Sequence, residues 1–68
     1  MDLKYKIEIT WSDEDQLYVA YVPDLPGCMA HGKTYQGALT SIKEAMHIWI
    51  ETAKEMGRKI PTPKSVLA

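Results

Sequence analysis

The sequence predicts an α+β fold in two layers, a three-stranded antiparallel sheet followed by one long helix packed on one of its faces. Three observations predict it. Apolar residues recur every three or four positions through residues 34–56, they alternate with polar residues through residues 3–11, and a polar run separates that alternation from a second stretch of β-formers.

In residues 3–11, Tyr5, Ile7, Ile9 and Trp11 point one way and Lys4, Lys6, Glu8 and Thr10 the other, which is a strand with one wet face. Ser12, Asp13, Glu14, Asp15 and Gln16 then break the pattern with side chains that favour turns, so residues 17–22 return as the second arm of a hairpin. Both faces of that arm carry bulk, Leu17, Val19 and Tyr21 on one and Tyr18, Ala20 and Val22 on the other, as expected of a strand covered on both sides. The row of Tyr18, Ala20 and Val22, with Trp11, is the expected oligomer interface. Pro23, Asp24, Leu25, Pro26 and Gly27 end the strand, because neither proline can donate to a ladder and Gly27 can take a positive φ. Residues 28–32 have the length of a short third strand.

The helix has both of its ends marked. Its stripe is Ala38, Leu39, Ile42, Ala45, Met46, Trp49, Ile50, Ala53 and Met56, while Lys43, Glu44, Glu51, Lys54 and Glu55 fall mostly away from it. Thr34 is placed to cap the first turn and Gly57 to turn left-handed after the last. At this length the helix runs ~33 Å, and burying its stripe at about 1.5–3 kcal/mol per large side chain is the largest stabilising term in the chain. Ile60, Pro61, Thr62 and Pro63 are too proline-rich for an inner strand, which leaves residues 64–68 as a possible short edge strand. The expected order is β-β-β-α with a possible final β, in one domain spanning residues 1–68.

The totals narrow the function. Eight Lys and Arg against nine Asp and Glu leave a formal charge of −1, so no overall field draws the chain to nucleic acid or acidic lipid. The single cysteine, Cys28, excludes an internal disulfide, and no apolar run reaches the length of a membrane span or a signal segment, so a cytoplasmic protein is expected. Asp13, Glu14 and Asp15 are grouped but lack the glycine and distal glutamate of a calcium loop, and read as a solvated turn. Cys28 and His31 are the nearest approach to a nucleophile and base, yet three positions apart on a strand they face opposite sides. The glycines match neither a phosphate-binding loop nor a dinucleotide fingerprint, so no cofactor, metal site or catalytic constellation is expected, and the chain reads as a non-enzyme.

One ordered pattern runs through nearly the whole chain. Tyr5 and its hydrophobic strand are followed by the acidic turn, by Leu17, Tyr18, Val19 and Ala20, and then by Pro-Asp-Leu-Pro-Gly-Cys-x-Ala-x-Gly-x-Thr across residues 23–34. Ala38, Glu44, Ala45, Trp49, Gly57, Ile60, Pro61 and Pro63 complete it. In this the chain resembles the HicB family of antitoxins from bacterial and archaeal toxin-antitoxin pairs. The resemblance implies a degraded RNase H-like fold without catalytic carboxylates, a homo-oligomer (dimer or tetramer), and a small basic RNA-cleaving toxin of the HicA type as partner. Two departures stand out. Gly37 replaces the acidic residue that would complete a capping box with Thr34, a loss of about 1 kcal/mol. The chain stops at Ala68, without the C-terminal DNA-binding domain of many relatives, so direct DNA binding is not expected of it.

The first functional expectation is therefore an antitoxin-like binding protein, with Pro23, Asp24, Leu25, Pro26, Gly27 and Cys28 as the candidate partner contact, since a proline-stiffened loop loses little entropy on binding. The alternatives are a small RNA-binding protein using Lys4, Lys6 and Lys33 with Tyr18 beside them, and an orphan structural oligomer without a toxin. On the first reading Leu25→Asp weakens partner binding and leaves the thermal melt nearly unchanged, as circular dichroism would record.

Overall fold

The computed structural model describes residues 5–61. Three strands, β1 (Glu8–Ser12), β2 (Leu17–Tyr21) and β3 (Met29–Gly32), precede one helix, α1 (Tyr35–Glu55). The strands form an antiparallel sheet in the order β1-β2-β3. The possible edge strand at residues 64–68 lies outside the described residues.

The ladder begins at Glu8, whereas the alternation alone predicts a strand from residue 3. The register explains the difference. Glu8 pairs with Tyr21, so Lys6 would have to pair with Pro23, which has no N–H to offer. At the other end the polar break forms a turn at residues 13–16, closed by Gln16 in a left-handed conformation (φ 54°) while its side-chain amide donates to the Asp13 carbonyl at 2.7 Å.

Because opposed residues share a face, the register sorts every side chain. Ile9, Ala20 and Ala30 form one row and Trp11, Tyr18 and Gly32 another, both on the helix side; Thr10, Val19 and His31, and Glu8, Tyr21 and Met29, form rows on the other face. The helix covers the first set. It packs mainly on β3, then on β2, and touches β1 least. Ala20, Val22, Leu25, Cys28, Ala38, Ile42 and Met46 make the core, with Leu39, Ala45 and Trp49 half-buried around it. Met56, expected in the buried stripe, is 64 % exposed, because it is the C-cap where the helix ends beyond the sheet.

Both helix ends are built as their residue types require. Thr34 Oγ1 accepts from the Gly37 N–H at 2.9 Å. At the C-terminus Gly57 takes φ 70°, its N–H donates to the Lys54 carbonyl at 3.2 Å, and the Arg58 N–H donates to the Ala53 carbonyl at 2.8 Å, the paired bonds of a Schellman motif.

Residues 22–28 are two consecutive turns. Leu25 N–H donates to the Val22 carbonyl (3.1 Å), and Cys28 N–H donates to the Leu25 carbonyl (3.0 Å). Gly27 sits at φ 80°, and the indole N–H of Trp49 donates to the Pro26 carbonyl at 2.9 Å, tying the loop to the helix. Leu25 is wholly buried and closes the end of the core.

Gly32 is where the layers come closest. A β-carbon there would lie 2.4 Å from the Ala38 nitrogen and 2.7 Å from the Gly37 carbonyl carbon, both backbone atoms of the first helical turn. The strand end and the helix start touch main chain to main chain.

Two substitutions separate packing from backbone conformation. Gly32→Ala is expected to destabilise by about 2–3 kcal/mol, because a rigid element must move, and Gly57→Ala, where a β-carbon meets nothing, by about 1 kcal/mol through its positive φ alone. Urea unfolding measures both, and equal losses would refute the distinction. Leu25→Asp places a carboxylate in the core and is expected to abolish the cooperative melt, in contrast to the expectation from sequence.

Candidate functional site

One helix covers one face of the sheet, and the other face is the candidate site. Leu17 and Val19 on β2 and Met29 and His31 on β3 surround a shallow hollow, with Asp15 of the acidic turn at one end. Asp13, Glu14 and Asp15 are all exposed. Their turn is held by short-range bonds: the Trp11 indole N–H donates to Asp13 Oδ1 at 3.3 Å and Ser12 Oγ donates to Asp15 Oδ2 at 3.2 Å. At the far end of the same face the Tyr21 hydroxyl donates to Glu8 Oε1 at 2.8 Å, and Lys6 Nζ lies 3.9 Å from Glu8 Oε2. The Glu8 carboxylate, by that hydrogen bond and by its charge, raises the Tyr21 pKa above its ordinary value. The surface combines an apolar hollow with carboxylates, which is the chemistry of a binding face.

The expected oligomer interface is placed differently by the register. Ala20 and Val22 are buried beneath the helix, and Tyr18 is half-buried there between Trp11 (ring centroids 5.0 Å) and Tyr35 (5.9 Å), both edge-on. Of that row Trp11 alone remains largely exposed, at 47 %. The open face belongs instead to Leu17, Val19 and Tyr21. Alternation shows two apolar faces on this strand, and only the docked helix shows which one it takes.

The loop expected to contact a partner is divided in the same way. Pro23, Pro26 and Gly27 are exposed and Asp24 is half-buried, whereas Leu25 and Cys28 are core residues that anchor them. A hollow bordered by Tyr21, Pro23, Pro26 and Met29 joins this loop to the open sheet face. The Met29 side chain reaches both.

Cys28 and His31 lie on opposite sides of β3, the thiol in the core and the imidazole exposed, as the strand period requires. Burial raises the thiol pKa, the reverse of what a nucleophile needs. Among the described residues no three His, Cys, Asp or Glu side chains are grouped to hold a metal ion. Of the residues named for the RNA-binding alternative, Tyr18 is on the helix side and Lys6 is beside Glu8 on the other, while Lys4 lies outside the described residues. Among the described residues no helix is long and apolar enough to cross a membrane.

A family model described as a HicB-like antitoxin of bacterial toxin-antitoxin systems matches residues 5–68. A UPF0150 protein of Thermoplasma acidophilum is 51 % identical over 59 residues, covering 87 % of this chain and 84 % of that protein. UPF0150 proteins of Archaeoglobus fulgidus (37 % over 54 residues; 79 % and 77 % covered) and Synechocystis (33 % over 51 residues; 75 % and 70 % covered) are also similar.

The thiol supplies a pH test of the core. Burial raises its pKa above the ordinary thiol value in the folded chain, so the unfolded chain ionises first. The thiol's contribution to stability is intact below that ordinary value and declines as pH rises through and beyond it. Between pH 8 and pH 10 the wild-type melting temperature is expected to fall more than that of Cys28→Ala; parallel declines would place the thiol in contact with water.

Proposed function

Since the chain belongs to the HicB-like antitoxin family, we propose that it is a non-enzymatic antitoxin that binds and neutralises a small HicA-type toxin, an RNA-cleaving protein, by covering its active surface. The observation that carries this reading is the uncovered sheet face with the acidic turn at its end. A protein that cleaves RNA must present cationic groups to the phosphates of its substrate. Asp13, Glu14 and Asp15 offer carboxylates to those groups, and Leu17, Val19 and Met29 offer apolar surface beside them. Charge draws the partners together and the hollow holds them, a division of labour common in protein interfaces. The exposed part of the loop, Pro23, Pro26 and Gly27, extends this surface with backbone already constrained.

The test uses the candidate toxin expressed separately, with RNA cleavage as the readout. Stoichiometric addition of the wild-type chain is expected to stop cleavage. The variant Asp13→Asn, Glu14→Gln, Asp15→Asn is expected to melt within a few degrees of wild type while binding at least about tenfold more weakly, the equivalent of ~1.4 kcal/mol. Its affinity is also expected to depend less on salt. Uninhibited cleavage in the presence of saturating, folded wild-type chain would overturn the reading.

A further inference from the structure

Three aromatic rings stand in a row at the end of the sheet where the helix begins. Trp11 on β1 and Tyr18 on β2 oppose each other in the ladder on the helix side, and Tyr35 is the first residue of α1. Each neighbouring pair meets edge to face, with ring planes crossing at 68° and 80°. Because the helix packs chiefly on β3 and touches β1 least, the β1 end of the row is left uncovered: Tyr18 is half-buried, and Trp11 has nearly half of its surface open.

That end is paired with a carboxylate. The Trp11 indole N–H donates to Asp13 Oδ1 at 3.3 Å, and the Gln16 side-chain amide reaches the same oxygen at 3.4 Å, so an exposed acid is fixed at the edge of the indole, near its plane. An apolar occupant would have to desolvate that charge without a counter-ion, which is costly. A cation over the indole face meets two attractions at once, the electron-rich ring and the carboxylate beside it. Arginine fits this pair better than lysine, because the guanidinium is planar, stacks on an aromatic face and keeps N–H donors at its rim for a carboxylate. The positive end of α1 lies beyond Tyr18 and its influence falls off within the first turn, so it does not oppose a cation at Trp11.

We propose that Trp11 and Asp13 form a seat for one arginine side chain of the partner protein, stacked on the indole and hydrogen-bonded to the carboxylate, with Tyr18 beside it held edge-on by Tyr35. The inference rests on the antitoxin reading for the source of that arginine, since a protein that cleaves RNA carries cationic side chains for the phosphates. It also enlarges the contact. The seat is on the helix side of the hairpin, whereas Leu17, Val19 and Met29 lie on the open face, and the turn at residues 13–16 joins the two. The partner therefore grips the end of the hairpin from both faces instead of lying flat on one.

The seat is tested first on the chain alone, by nuclear magnetic resonance titration with a blocked tetra-arginine peptide. The two tryptophans give separate indole N–H signals, and that of Trp49, bonded to Pro26, is the internal reference. The peptide is expected to shift the Trp11 signal and leave the Trp49 signal in place, and its lysine counterpart, of equal charge but without a planar group, to bind more weakly. Trp11→Leu is expected to bind the arginine peptide about two- to fivefold more weakly, and Trp11→Tyr, which keeps a ring face, to lose less. Asp13→Asn retains the indole and is expected to weaken binding about twofold, which decides the matter even if the tryptophan variants fold poorly. The candidate toxin, expressed separately, is expected to rank the variants in the same order. Equal binding of the lysine peptide, or folded Trp11→Leu and Asp13→Asn that bind as tightly as wild type, would overturn the inference while wild-type inhibition of the toxin upholds the antitoxin reading. If Trp11→Leu lowers the sedimentation mass of the chain and leaves peptide binding unchanged, the rings belong to a second copy and the inference fails. A toxin that ignores the wild-type chain overturns the antitoxin reading, and the peptide titration still decides the seat.

Discussion

At the end of β3, the absence of a side chain on Gly32 lets strand and helix meet backbone to backbone, with no room for a β-carbon against Ala38 and Gly37. That contact sets where α1 begins relative to the sheet, and the Thr34 cap sets its direction of departure. With the start placed, the spacing of Ala38, Ile42, Met46, Ile50 and Ala53 brings one stripe onto the sheet. The far end is held through the loop, where Trp49 bonds to Pro26 and Leu25 fills the gap between sheet and helix. A short sheet and a long helix are thus joined at both ends by features with little latitude.

A consequence of using one helix is that half of the sheet stays open. In a chain this short the core is small, and whatever is not covered by the fold remains on the surface. Here the uncovered part is not uniformly polar. Leu17, Val19 and Met29 lie on the open face, Met29 and Ile48 on the β3 side, and three carboxylates at the hairpin turn.

The family is shown by similarity running through residues 5–68, and several of the residues that carry it have structural duties in this chain. Leu25 and Cys28 are core, Gly32 is the backbone contact, Thr34 the cap and Gly57 the helix stop. The pattern that identifies the family therefore reports its fold more directly than its binding surface. This is why the loop at residues 23–28 reads as a contact site in the sequence, while two of its six residues, Leu25 and Cys28, are core anchors.

The helix was legible in the sequence almost to the residue, because caps and a 3.6-residue stripe are local properties that need no partner to be recognised. The hairpin, the third strand and the opposite facing of Cys28 and His31 were legible for the same reason: alternation belongs to the strand itself. What the sequence by itself could not determine was which of the two apolar rows of β2 the helix would take, and with it the identity of the open face. Both rows have similar bulk, so the choice depends on register against β1 and β3, on the backbone contact at Gly32, and on the way Leu25 folds back into the core. Those are relations between residues distant along the chain, and only the tertiary structure decided them.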